Sequence, residues 1–153
     1  MVGKFFDWLK AAKLDEERPI VGISKNEIDE LAAAQGQIAF PSVYQEFLED
    51  CGKSAGLFQR DAAFFFPEVK DLKRRLLEML EDEGIEFTVP ANAFVFGAYQ
   101  GFQFHYFICD GGTDPAVYQM DDGGGDPEMV AETFSSYIRK GIAQYRDSFY
   151  QKS

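Results

Sequence analysis

His105 is the only histidine in the chain, and Cys51 and Cys109 are its only cysteines. A nucleophilic cysteine needs its thiol within hydrogen-bond reach of an imidazole. His105 and Cys109 lie four residues apart on one strand-like segment, so they share a face but stand roughly 13 Å apart along it. That separation excludes a direct proton-transfer pair. Cys51 meets His105 only if tertiary folding brings them together. The expectation is a sheet histidine with an ordinary hydrogen bond, and two buried free thiols in a reducing compartment.

The carboxylates are the other residues with possible chemistry. Asp110, Asp114, Asp121, Asp122 and Asp126 fall in two turns, D-G-G-T-D-P and D-D-G-G-G-D-P, expected at nearby strand ends. Oxygen-rich loops can hold Ca²⁺ or Mg²⁺, but the EF-hand spacing is absent, and aspartate and glycine are the preferred turn residues in any case. Gly123, Gly124 and Gly125 are not followed by Lys-Ser/Thr, so they form no phosphate cradle. No catalytic residue, metal ligand or cofactor is expected.

The elements that must position these residues read clearly. Phe5, Trp8, Leu9 and Ala12 are spaced as one face of a short amphipathic helix, followed by a polar connector from Asp15 to Pro19. Ser24 and Glu27 have the capping-box spacing, with Ile23 and Ile28 at the staple positions around it. Gly36 is a helix stop. Pro41 suits the first helical position, Tyr44, Phe47, Leu48 and Cys51 make one stripe, and Gly52 offers a left-handed exit. Ala62 to Pro67 reads as a buried or bridging segment. A further helix begins at Pro67, with Lys70, Lys73, Arg74 and Arg75 forming a basic patch on its polar side. Strands are expected at Ile85–Val89, Phe94–Ala98, Phe102–Cys109 and Ala116–Met120, and a closing helix over Thr133–Tyr150. The long strand alternates Phe102, Phe104, Tyr106 and Ile108 against Gln103, His105, Phe107 and Cys109, a pattern expected of a sheet covered on one side. The layout is α+β: a single domain with an antiparallel β-meander packed against several helices.

Composition bounds the function. The 153 residues include 16 Phe, 7 Tyr and 1 Trp, enough for a large core without staples. Lys and Arg number 15 against 26 Asp and Glu, a net charge of −11. Such a field repels phosphate backbones and anionic membranes and steers basic partners inward. No secretory signal and no span of about 20 apolar residues is evident, so a cytoplasmic protein is expected, without nucleic-acid or membrane partners.

Taken together, Ile23-Ser24-x-x-Glu27-Ile28-x-x-Leu31 and Phe40-Pro41-x-x-Tyr44-x-x-Phe47-Leu48-x-x-x-Gly52 resemble the opening of the SUKH superfamily, which includes the yeast Smi/Knr cell-wall regulators and many bacterial proteins. Phe94-Val95-Phe96-Gly97, Tyr106-Phe107-Ile108, Pro115-x-Val117-Tyr118 and Thr133-Phe134-Ser135-x-Tyr137-Ile138 resemble its later strands and closing helix. The resemblance covers about Ile20 to Tyr145. It divides the chain into an N-terminal helix and connector (1–19) and a SUKH-like domain (20–153). It implies a non-catalytic binding scaffold: a bacterial immunity-type protein that neutralises a toxin, often a nuclease, or a regulatory interaction module. Combined with the charge, it makes Asp110, Asp114, Asp121, Asp122, Asp126 and Glu128 the candidate residues for meeting a basic partner such as a toxin domain.

Overall fold

A computed structural model describes residues 3–36 and 39–150; Met1, Val2 and residues 151–153, at the two ends of the expected layout, lie outside the described residues. Five helices surround two antiparallel sheets. In order they are α1 (Lys4–Ala11), β1 (Ile20–Val21), α2 (Lys25–Ala34), α3 (Ser42–Cys51), β2 (Ser54–Ala55), a 3₁₀ turn (Glu68–Asp71), α4 (Leu72–Asp82), β3 (Ala93–Tyr99), β4 (Gln103–Ile108), β5 (Val117–Asp121), β6 (Glu128–Ala131) and α5 (Phe134–Tyr150). The main sheet is a meander in the order β3-β4-β5-β6, and β1 pairs with β2 in a small second sheet.

The local signals act largely as read. Ser24 Oγ accepts from the Glu27 N–H at 3.2 Å while Glu27 Oε1 accepts from the Ser24 N–H at 3.0 Å, which closes the capping box of α2. Gly36 adopts φ +75 as the helix exits. Two details differ at α3. Pro41 is the residue before the helix, at φ −53 and ψ 140, so Ser42 takes the first helical position. Gly52 is right-handed, at φ −63. It is glycine for want of space: a Cβ there would stand 2.7 Å from the Leu48 carbonyl oxygen and 3.0 Å from Ile23.

Three strand expectations need correction. Ile85–Val89 keeps alternating burial but finds no partner strand and runs as extended chain along the core. The meander has a fourth strand, β6, where only loop and helix entry were expected. The main sheet is also covered on both faces, not one. Antiparallel partners share a face, so pairing sorts the side chains. Phe94, Phe107, His105 and Gln119 lie on one face, with Phe96 and Gly97 both turned to it by a bulge between Val95 and Gly97. Here Tyr44 of α3 and Phe134 and Tyr137 of α5 pack edge-on against Phe96 or Phe107. The opposite face, with Val95, Phe104, Tyr106 and Met120, is buried beneath α4, whose Leu72, Leu76, Met79 and Leu80 turn inward.

α1 belongs to the same core. Phe5 and Leu9 are fully buried, and Phe5 meets Phe47 and Phe134 edge-on. Its helical N-terminus is capped from α3: the Asp50 carboxylate accepts from the Phe5 and Phe6 N–H groups at 3.1 and 3.3 Å. Burial raises the Asp50 pKa, and these bonds offset part of that rise.

The two edges of the main sheet differ. On the outer side of β3, Ala63 and Ala98 exchange two backbone hydrogen bonds at 2.9 and 3.0 Å. Beside them the buried Gln35 amide acts as a one-residue strand. Its oxygen accepts from the Val95 N–H at 2.8 Å, and its nitrogen donates to the Val95 carbonyl at 2.8 Å and the Val69 carbonyl at 3.0 Å. On the outer side of β6, among the described residues, no hydrogen bond reaches the backbone.

Candidate functional site

The meander separates the six candidate acids. The β4–β5 loop, with Asp110 and Asp114, lies at one end of the sheet. Gln103 pairs with Asp121, so Asp121, Asp122, Asp126 and Glu128 lie at the other. β5 alone places about 14 Å between these ends. The two loops are therefore not neighbours, because consecutive antiparallel connections alternate ends.

The two groups also do different work. Asp114 caps α5: its carboxylate accepts from the Ser135 N–H at 2.9 Å and from the Ser135 hydroxyl. Asp110 and Asp121 each accept from the N–H two residues on, at 3.1 and 3.0 Å, the bond that aspartate makes in a turn. Asp122, Asp126 and Glu128 are exposed and, among the described residues, their carboxylates make no hydrogen bond or ion pair. Near Asp122, a groove of about 290 Å³ brings in Glu78, Asp82 and Glu83 of the α4 end beside Met79 and the 39% exposed Phe102. These helix acids were not among the sequence candidates. The run E-D-E at 81–83 was their signal, but nothing local placed it beside the β5–β6 loop.

The basic residues of the 3₁₀ turn and α4 are each engaged in place. Lys70 meets Glu30 at 2.6 Å, Arg74 meets Glu78 at 2.8 Å, Arg75 meets Glu68 at 3.4 Å, and Lys73 donates to the Ala91 carbonyl at 2.9 Å. They offer little to an anion.

His105 sits in a polar cleft between the sheet and α5, a space of about 420 Å³ lined also by Tyr99, Gln119, Val130, Lys140, Gly141, Gln144 and Tyr145. A single chain of hydrogen bonds fills its floor. Tyr145 donates to Gln59 Oε1 at 3.3 Å, and the Gln59 amide nitrogen donates to the Tyr99 hydroxyl. Tyr99 meets Tyr137 at 3.1 Å, Tyr137 meets His105 Nδ1 at 2.6 Å, and His105 Nε2 meets Gln119 Oε1 at 2.9 Å. Since Gln119 Oε1 can only accept, Nε2 carries the proton and Nδ1 accepts from Tyr137. Every link then runs in one direction, and the histidine is neutral. Burial lowers its pKa, and it pushes the Tyr99 hydroxyl up to about 12.

That arrangement answers the chemical question posed by the lone histidine. Both ring nitrogens are occupied by Tyr137 and Gln119, so neither thiol has a base. Cys51 is buried, with its pKa held well above the usual thiol value by desolvation. Cys109 is only half-buried, against expectation. It borders a second cavity of about 660 Å³ with Phe40, Pro41 and Thr113, and burial pushes its thiol up to about 11. Both thiols stay protonated at neutral pH. Among the described residues no three His, Cys, Asp or Glu side chains converge to hold a metal ion, and no helix is long and apolar enough to cross a membrane.

The class is thus an α+β domain whose interior is filled by interlocking aromatic rings, with exposed carboxylates at the β5–β6 end of its sheet. Residues 22–140 match the model of the SMI1/KNR4 family (SUKH-1), and the chain belongs to that family. No curated protein compared with the chain matches it. The match begins after α1, which lies outside the matched region while its Phe5 and Leu9 are buried in the same core.

Proposed function

We propose that this is a non-catalytic protein-binding domain that recognises a basic protein partner, and that it acts in the cytoplasm as an immunity-type protein neutralising a toxin. The observation that carries this reading is the set of free carboxylates at the β5–β6 end of the sheet, Asp122, Asp126 and Glu128, with Asp122 beside Asp82 and Glu83. These acids hold no fold element together, unlike Asp114, and a protein of net charge −11 gains association rate from them only against a positive surface. Family membership supports a binding role, since the SUKH resemblance implies immunity or regulation and supplies no catalytic set to carry over. The same field disfavours nucleic acid and anionic lipid. In this reading α1 and its connector, residues 1–19, extend a binding domain that starts at residue 20.

Capture from the source organism with the tagged protein tests the proposal, followed by co-expression with the recovered partner. The expected result is a basic partner whose toxicity is relieved, with affinity lost when Asp122, Asp126 and Glu128 become Asn, Asn and Gln. Recovery of a non-toxic endogenous protein would replace immunity with the regulatory reading. Recovery of no basic partner would remove both.

A further inference from the structure

The main sheet ends in two edges, and only one is closed. An open edge presents unpaired N–H and C=O groups that can template another strand. β3 is closed with some care: Ala63 supplies a backbone bridge and Gln35 a buried amide brought from 60 residues away. β6 has no such cover among the described residues, and Met129 on it is 53% exposed.

We infer that β6 is a docking strand, and that its occupant is an extended segment of a basic protein that adds to the sheet as a fifth strand. The inference rests on the basic-partner reading above and specifies where and how that partner binds. The sequence of the edge decides between occupants. Glu128 pairs with Gln119 and so lies on the His105 face, while Met129 pairs with Tyr118 on the opposite face. Exposed Asp126 and Glu132 flank the strand. A second copy of this chain added at β6 would bring carboxylates against carboxylates at cross-strand distance, which is destabilising. A strand alternating basic and apolar residues reverses the sign: its cations meet Glu128 and the flanking acids while its apolar side chains cover Met129. Strand addition draws affinity from main-chain hydrogen bonds and selectivity from alternate side chains. The acids that discourage self-association are therefore the ones that select the partner.

The probe is an eight-residue peptide alternating Lys and Val, compared with the same peptide N-methylated at alternate residues, which keeps the charge and removes backbone donors. Binding is followed by titration at low salt and by amide hydrogen exchange on the full chain. The expected result has three parts. Exchange of at least one amide within 128–132 slows tenfold or more. N-methylation weakens binding at least tenfold. Asp126→Asn with Glu128→Gln and Glu132→Gln weakens binding at least tenfold with an unchanged melting temperature. Equal affinity for the two peptides, or protection mapping to the Phe102 groove and not to β6, overturns strand addition but leaves the basic-partner reading standing. Absence of binding by either peptide at low salt overturns both.

Discussion

The two edges of the four-stranded sheet are finished in opposite ways, and the contrast separates what folds this protein from what it presents. At β3, a side-chain amide and a backbone bridge satisfy the outward N–H and C=O groups of Val95 and Ala98. At β6, the strand is short, flanked by carboxylates and, among the described residues, unpaired on its outer side. The acids divide along the same line. Asp114 caps α5 and Asp50 caps α1, so both are structural. Asp122, Asp126 and Glu128 hold nothing. A buried polar group costs about 1–3 kcal/mol when its partner is removed, whereas an exposed charge costs little. Substitutions at the closed edge should therefore move stability, and those at the open end should move binding.

The largest effect is expected from Gln35→Ala. It strands the Val95 N–H and carbonyl in a buried setting and removes one of the two bonds to the Val69 carbonyl, which also accepts from the Leu72 N–H, and about 3 kcal/mol or more of stability should be lost. Chemical denaturation would read this as a lower midpoint. A change below about 1 kcal/mol would mean the β3 edge is not held by that amide. Asp114→Ala, which uncaps α5, should cost about 1 kcal/mol while leaving partner affinity untouched. If affinity fell instead, the division between structural and presented acids would be wrong.

Much of this contrast could not be read in the sequence. The capping box, the Gly36 exit, the α3 stripe and the β3–β5 meander were legible because each is encoded within a few neighbouring residues. The closed edge was not, because Gln35 meets Val95 only after the chain has folded over 60 residues. Its one local sign is a lone glutamine ending an alanine run. β6 was hidden by its brevity, with Met129-Val130-Ala131 the only apolar trace after Pro127. The acids were legible as turn formers and as charge, but their separation to opposite ends depends on strand count and register. The cleft around His105 gathers Gln59, Tyr99, Gln119, Tyr137 and Tyr145 from four segments, and no local pattern places any of them beside the histidine.

Below the cap comes the interior of the cleft. The folded His105 pKa is depressed by burial, so between its folded value and the unfolded value near 6.5 the unfolded chain binds the extra proton. Stability should be flat above pH 6.5 and should fall as pH drops below it. The hydrogen bond to Gln119 offsets part of that pKa depression. Urea midpoints at pH 7.5 and 5.5 would show the fall in the native protein and its absence in His105→Gln; equal falls in both would place the titration elsewhere. Tyr44→Phe probes the opposite case. The Tyr44 hydroxyl is buried and has no hydrogen-bond partner among the described residues, so its removal should be neutral or stabilise by up to about 1 kcal/mol. A clear loss would reveal a partner for that hydroxyl. Smallest of all, Asp122→Asn, Asp126→Asn and Glu128→Gln should each shift stability by no more than about 0.5 kcal/mol, as thermal melts would show.

The most direct measurement is the affinity of the captured basic partner for three proteins across a range of salt: the native chain, the Asp122→Asn/Asp126→Asn/Glu128→Gln variant, and an Asp110→Asn/Asp114→Asn control from the other end of the sheet. The predicted result is at least a tenfold loss and a shallower salt dependence for the first variant, with the control binding like the native chain. Equal affinity and equal salt dependence in all three would contradict the assignment of the acidic hairpin end as the binding surface.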